Sequence, residues 1–292
     1  MHLNTNNVME INYPNKGQIG VELIDCDVRV LDPNSLQQIL SLVYKYKLVV
    51  LRGQSLSKDD YLEFARQLGT PQIYPNPNYH HPDYSEIFVS SNVPEKGKKI
   101  GVAGAGSYWH TDCQFLEKPL SLTLVFPQIL PTTGERGTLF IDMAQAYYSL
   151  PEHLKLALDG VDAIHEGKWH YKVQAHDIDK SIFQILQEFV SWAPSVRHPA
   201  IIQHPVTQEK ALYISSGFTT GIENLSYEDS RALLVEVFEF IERPENIHKQ
   251  LWCEEDLLIW DNRALLHKAL KSHSNEKSVS YRIGVFDRLP FY

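Results

Sequence analysis

Ser107-Tyr108-Trp109-His110-Thr111-Asp112-Cys113-Gln114-Phe115 leads, five residues on, into the apolar run Leu120-Ser121-Leu122-Thr123-Leu124-Val125-Phe126. The second segment reads as a buried strand. In an extended chain, residues i and i+2 point to the same face, so His110 and Asp112 are expected to present an imidazole and a carboxylate side by side. Those are two corners of a metal site. With 13 histidines in the chain, an H-x-D arises easily by chance, and a second one, His81-Pro82-Asp83, is present. That rival lies in a proline-rich stretch with no rigid base, whereas His110 is followed by a convincing strand.

Outward from this segment, strand-like pieces recur at Lys47 to Leu51, Glu86 to Ser90, Thr138 to Ile141, Pro199 to Gln203, Ala211 to Ile214, Asp256 to Trp260 and Tyr281 to Phe286. Two amphipathic helices come early. One starts at Asp32-Pro33 and carries Leu36, Ile39, Leu40 and Val43; the other starts at Ser57, has Asp60 at capping-box spacing, and ends at Gly69. Further helices are expected near residues 144–158, 179–191 and 226–241. Residues 71–84, PQIYPNPNYHHPDY, hold four prolines and exclude a helix or a central strand. Short antiparallel-looking strands with a few helices predict a mainly β (α+β) fold, a jelly-roll (double-stranded β-helix) core with helical insertions. No linker or repeat divides the chain. One domain over residues 1–292 is expected, with a lid-like loop at about 71–107 and a helical insertion at about 144–195.

Composition narrows the function. The 292 residues are 43% hydrophobic and carry a formal charge of -9, which disfavours a nucleic-acid partner. Three widely spaced cysteines in no CxxC pattern argue against a disulfide framework and a thiolate zinc site. No apolar run reaches the ~20 residues of a membrane span, and the amino terminus lacks a signal core. A cytoplasmic protein acting on a small molecule, without membrane attachment and in a monomer or a homo-oligomer, is the expectation.

A third metal ligand must come from elsewhere, and His267, just beyond the strand at Asp256 to Trp260, is the best candidate. Two imidazoles and one carboxylate on one face leave the opposite positions open, as in non-haem Fe(II) oxygenases. Arg282 alternates with Tyr281 and Ile283 among hydrophobic neighbours, and a buried guanidinium needs an anion. A bound dicarboxylate would supply one.

The pieces WHTD, TTGERGTLF, HPAIIQHPVTQEKALYISSGFTTGIENLS, WDNRALLHKAL and YRIGVF, in that order, resemble the taurine and chlorophenoxyacetate dioxygenase (TauD/TfdA) family. The resemblance covers nearly the whole chain and implies an oxidoreductase that uses Fe(II), O2 and 2-oxoglutarate as co-substrate. It implies that His110, Asp112 and His267 are the iron ligands, with 155 residues between the second and third. Thr138 matches the hydroxyl that helps hold the distal carboxylate of 2-oxoglutarate, and Arg282 matches the arginine paired with that carboxylate. The implied chemistry is oxidative decarboxylation of 2-oxoglutarate to succinate, coupled to removal of hydrogen from a substrate C–H bond, ending in hydroxylation or desaturation. Retention of Asp112 disfavours halogenation.

At the substrate end, Tyr79 lies where the family has a lid tyrosine, and Trp109 and Phe286 are candidate pocket walls. Phe286 stands where the taurine enzyme has its sulfonate arginine, so taurine is not the expected substrate. The aromatic texture is similar to the isonitrile-pathway branch of the PvcB type, which implies natural-product metabolism such as conversion of a tyrosine-derived isonitrile to a vinyl isonitrile. Lys168, Lys172 and Arg197 are candidates for a substrate carboxylate. Release of a sulfonate or aryloxy group from a small organic acid is the alternative within the family. Outside it, a zinc-dependent hydrolase on the same ligands and a non-enzymatic jelly-roll protein remain open.

Overall fold

A computed structural model describes residues 9–15, 18–95, 97–132, 135–270 and 276–292. Its main sheet has nine strands. Leu48–Leu51, Leu257–Asp261, Leu122–Ile129 and Val279–Phe286 form the middle. Val21–Ile24 and Glu10–Asn12 extend one edge, Tyr84–Ser91 and His80–His81 the other, and Thr70–Pro71 pairs with the end of Val279–Phe286. Val21–Ile24 runs parallel to Leu48–Leu51, while the central pairs are antiparallel. A three-stranded sheet of Ile247–Leu251, Gly137–Asp142 and Leu265–Leu270 is the second layer.

Side-chain alternation decides what each face buries. Val49, Leu51, Leu257, Ile259, Tyr281, Ile283 and Val285 face one core, which helices Pro33–Tyr46 and Lys58–Leu68 cover. The intervening Leu48, Val50, Leu258 and Trp260 turn inward and meet Phe140 and Leu265 of the smaller sheet. Arg282 shares this inner orientation by its register in the same strand. A third core, around Ile141, Leu212, Val237 and Leu266, packs helices Met143–Ser149, Glu152–Leu158 and Tyr227–Ile241 on the outside of the smaller sheet.

Both early helices form at their expected caps. Asp32 accepts from the backbone N–H groups of Asn34 and Ser35, and Ser57 and Asp60 close a reciprocal capping box. Three local expectations are corrected. The helix expected at 144–158 is two helices, because Pro151 keeps Leu150 extended (ψ 140°). The insertion at 144–195 is not wholly helical: it contains strand Asp162–His165, which pairs with Val196–Pro199 and Thr219–Ile222. The proline-rich stretch holds a 3-10 turn at Pro77–Tyr79 and the two-residue edge strand His80–His81, kept short by its prolines. His267 lies just beyond strand Leu257–Asp261, as expected, and sits within the next strand, Leu265–Leu270. Among the described residues, no helix is long and apolar enough to cross a membrane.

Candidate metal centre

The segment Ser107 to Phe115 is not a strand. Only His110 makes a ladder-like pair, after which the chain turns, with Cys113 at φ 58°. That single pair is decisive for the site. His110 N–H donates to the His267 carbonyl at 2.9 Å, and His267 N–H donates back to the His110 carbonyl at 2.8 Å. This reciprocal bonding sets the two imidazoles side by side, with ring centroids 4.2 Å apart. The turn then brings Asp112 back beneath them. One donor atom from each of His110, Asp112 and His267 falls within 4.8 Å of the others, and all three residues are buried.

Each donor is poised to bind a cation. His110 Nδ1–H donates to the Tyr108 carbonyl at 2.8 Å, which leaves the Nε2 lone pair free. Burial lowers the pKa of both imidazoles and keeps them neutral. Burial pushes the Asp112 carboxyl up, but the Arg282 guanidinium beside it more than offsets this and holds Asp112 below the usual carboxylate range. Its Oδ2 also accepts from Thr123 Oγ1 at 2.7 Å. Arg282 ion-pairs with Oδ1, and its guanidinium carbon lies 4.3 Å from the Phe88 ring centroid. Two nitrogens and one oxygen in a buried corner suit Fe(II), with room opposite for further ligands. The rival His81 instead accepts from the Asp83 backbone N–H through Nδ1 at 3.1 Å and packs edge-on against Tyr84 and Tyr281.

Two chambers meet at this corner. One, of about 650 Å³, is walled by Tyr74, Tyr79, Phe88, Tyr108, Phe115, His170 and Phe218, with Lys172 also lining it. The other, of about 520 Å³, runs from His267 and Ser280 to Thr138, Trp252 and Arg136. His110, Asp112 and Arg282 line both. The structure thus brings the three expected ligands, Thr138, Arg282 and Tyr79 to one locality. It does not bring Trp109 or Phe286 there. Trp109 alternates with His110 and turns into the core beside the smaller sheet, while Phe286 sits at a strand end opposite Thr70 with Lys118 over its ring at 4.2 Å. Tyr108, His170, Phe218 and Arg136 were not anticipated. Adjacency to the H-x-D motif is the one signal that pointed toward Tyr108.

The fold and this corner define a class, confirmed by comparison: the chain belongs to the taurine catabolism dioxygenase TauD, TfdA family, which matches it over residues 12–282. It is therefore a 2-oxoglutarate-dependent oxidoreductase, of a family that uses Fe(II), 2-oxoglutarate and O2. It is 29% identical to the alkylsulfatase of Acinetobacter baylyi, over 91% of this chain and 82% of that protein. It is 27% identical to an alpha-ketoglutarate-dependent sulfate ester dioxygenase of Pseudomonas putida (95% and 90%) and 28% identical to pentalenolactone F synthase of Streptomyces arenae (88% of each). The fold is shared with a putative alpha-ketoglutarate-dependent taurine dioxygenase from Burkholderia xenovorans, at TM-score 0.77 and 23% identity over 97% of this chain and 91% of that one. The zinc-hydrolase and non-enzymatic alternatives are set aside.

Proposed function

We propose that His110, Asp112 and His267 hold Fe(II), that 2-oxoglutarate enters the chamber lined by Thr138 and Arg282, and that the substrate is a small organic anion held in the aromatic chamber. The observation that carries this reading is the buried two-histidine, one-carboxylate corner at the junction of two chambers. When bound, iron with 2-oxoglutarate and O2 supplies an oxidant for a C–H bond, with succinate and carbon dioxide as co-products. The chain's own work is positioning and exclusion. His110 is fixed through Nδ1, Thr123 and Arg282 fix the two oxygens of Asp112, and Tyr74, Tyr108 and Phe218 keep the substrate side apolar.

The aromatic walls favour an aryl-bearing substrate, and Lys172 favours an anionic end. Its Nζ donates only to the carbonyls of Ala103 and Gly104 among the described residues, so its charge meets no carboxylate. A tyrosine-derived isonitrile carboxylate, oxidised by two electrons to a vinyl isonitrile with its carboxylate released as carbon dioxide, meets both demands. The Acinetobacter and Pseudomonas relatives support a second reading, in which the anionic end is a sulfate ester. The net charge and the three unpaired cysteines support a cytoplasmic enzyme without nucleic-acid or membrane partners, as a monomer or homo-oligomer. Anaerobic addition of Fe(II) and 2-oxoglutarate is expected to give a weak visible charge-transfer band; a folded protein without it would exclude the proposed centre. Succinate release screened across amino-acid isonitriles, alkyl sulfates, alkylsulfonates and aryloxyacetates then separates the substrate readings. Turnover confined to the sulfates would reject the isonitrile.

A further inference from the structure

We propose that Arg136, rather than Arg282, takes the far carboxylate of the dicarboxylic co-substrate, with Thr138 as its hydroxyl partner. The assignment rests on the 2-oxoglutarate reading above and departs from the family pattern, which puts that arginine on the last strand.

The two arginines differ in their company. Arg282 already has an anion, Asp112, and is thereby held at the metal end. Arg136 has none. Its Nη1 donates to the Leu270 carbonyl at 2.9 Å, its guanidinium carbon lies 4.8 Å from the Trp252 ring centroid, and its Nε, like that of Arg282, is buried without a partner. Among the described residues no Asp or Glu lies within ion-pair reach of it, and the stretches outside that set contain no acidic residue. A guanidinium removed from water and given one carbonyl is costly unless something else compensates it, and an anion entering the cavity it lines would do so.

Placement fits a chain-like diacid. In the smaller sheet Phe140 stands opposite His267 and Thr138 opposite Ala269. Two-residue steps on a strand cover ~7 Å and keep side chains on one face, so Thr138 lies about one step from the metal ligand and Arg136 one step beyond it. Arg136 and Thr138 line the same cavity as His267. A diacid chelating the metal through its 2-oxo end would extend along this face, past Thr138, toward the guanidinium. There a planar fork can take a carboxylate through two parallel bonds, backed by the Trp252 ring.

The test is anaerobic titration of Fe(II)-loaded wild type, R136M, R136K and R282M with 2-oxoglutarate and with 2-oxopentanoate, which keeps the 2-oxo end and lacks the far carboxylate. Affinity is read from the visible chelate band and folding from thermal melting. R136M is expected to bind 2-oxoglutarate about 100-fold more weakly, the loss typical of removing one partner of a buried charged pair, with 2-oxopentanoate unchanged. R136K is expected to recover part of that loss, and 2-oxoglutarate should raise the melting temperature of wild type more than that of R136M. Unchanged 2-oxoglutarate affinity in R136M overturns the assignment. So does equal weakening of both acids, or loss of discrimination in R282M alone. If R136M does not fold, R136K decides, since it too must weaken 2-oxoglutarate selectively. A wild type that gives no band with either acid sinks the dioxygenase centre and this assignment with it, whereas a normal wild-type band with unaltered variants sinks this assignment only.

Discussion

Asp112 is held by a relay that starts far away in sequence. Trp260 Nε1 donates to Asn262 Oδ1 at 3.0 Å, Asn262 Nδ2 donates to Thr123 Oγ1 at 2.9 Å, and Thr123 Oγ1 in turn donates to Asp112 Oδ2 at 2.7 Å. Groups that orient a ligand in this way tune metal affinity, so T123V is expected to weaken Fe(II) or Mn(II) binding about 10–100-fold while T123S retains it, as measured by competition with a fluorescent chelator. Equal affinity in both variants would show the relay to be idle. At this scale the sequence was readable where chemistry is local. His110 and Asp112 stand two apart, and His267 follows from order along the chain. The relay was not readable, because 139 residues separate Thr123 from Asn262. Nor was Arg136, whose distinction is the lack of a carboxylate neighbour, a property that exists only in three dimensions. Trp109 misled because adjacency to a ligand, on an extended chain, points a side chain the other way.

Among the elements, helix Lys58–Leu68 shows how strongly local signals can act. Its capping box, its apolar stripe and the closing Gly69 agree, and Tyr61 reaches from it to the Leu124 carbonyl at 2.9 Å. S57A should cost about 1 kcal/mol. A fall in the urea midpoint with an unchanged slope is the expected result, and an unmoved midpoint would mean that packing alone sets the helix start. Strands Leu48–Leu51 and Leu122–Ile129 were legible for a related reason, since each carries an apolar run buried on both faces, and Val279–Phe286 by its alternation, with Tyr281, Ile283 and Val285 on one face. Ile247–Leu251 was not. It reads IHKQL, and it is a strand because Gly137–Asp142 offers it an edge more than a hundred residues earlier in the chain. Asp162–His165 was hidden in the same way by partners that arrive later in the sequence.

For the whole molecule, Arg263 works as a latch. It sits fully buried on the turn before the His267 strand and grips Asp287 through Nη1 and Nη2 at 2.8 Å each, the Phe291 carbonyl through Nε at 2.9 Å and the Pro290 carbonyl through Nη2 at 3.0 Å. The carboxyl-terminal residues are thus tied to the turn that delivers His267 to the proposed metal centre. D287N is expected to destabilise the fold by on the order of 3 kcal/mol near neutral pH, because it strips a buried guanidinium of its bidentate partner and leaves it only Asp261, at 3.8 Å. Burial pushes the Asp287 carboxyl up, but the Arg263 guanidinium more than offsets this and holds it below its unfolded value. Its contribution is therefore complete above the unfolded carboxylate pKa of ~3.9 and fades as pH falls through the lower folded value. Chemical denaturation at stepped pH should show the gap between wild type and D287N closing on the acid side; a gap independent of pH would assign the loss to packing. The junction of two chambers has a consequence for turnover under the proposed chemistry. Spent diacid and oxidised product would be released from different chambers, so succinate should compete with 2-oxoglutarate alone, and a product analogue should compete with the organic substrate alone.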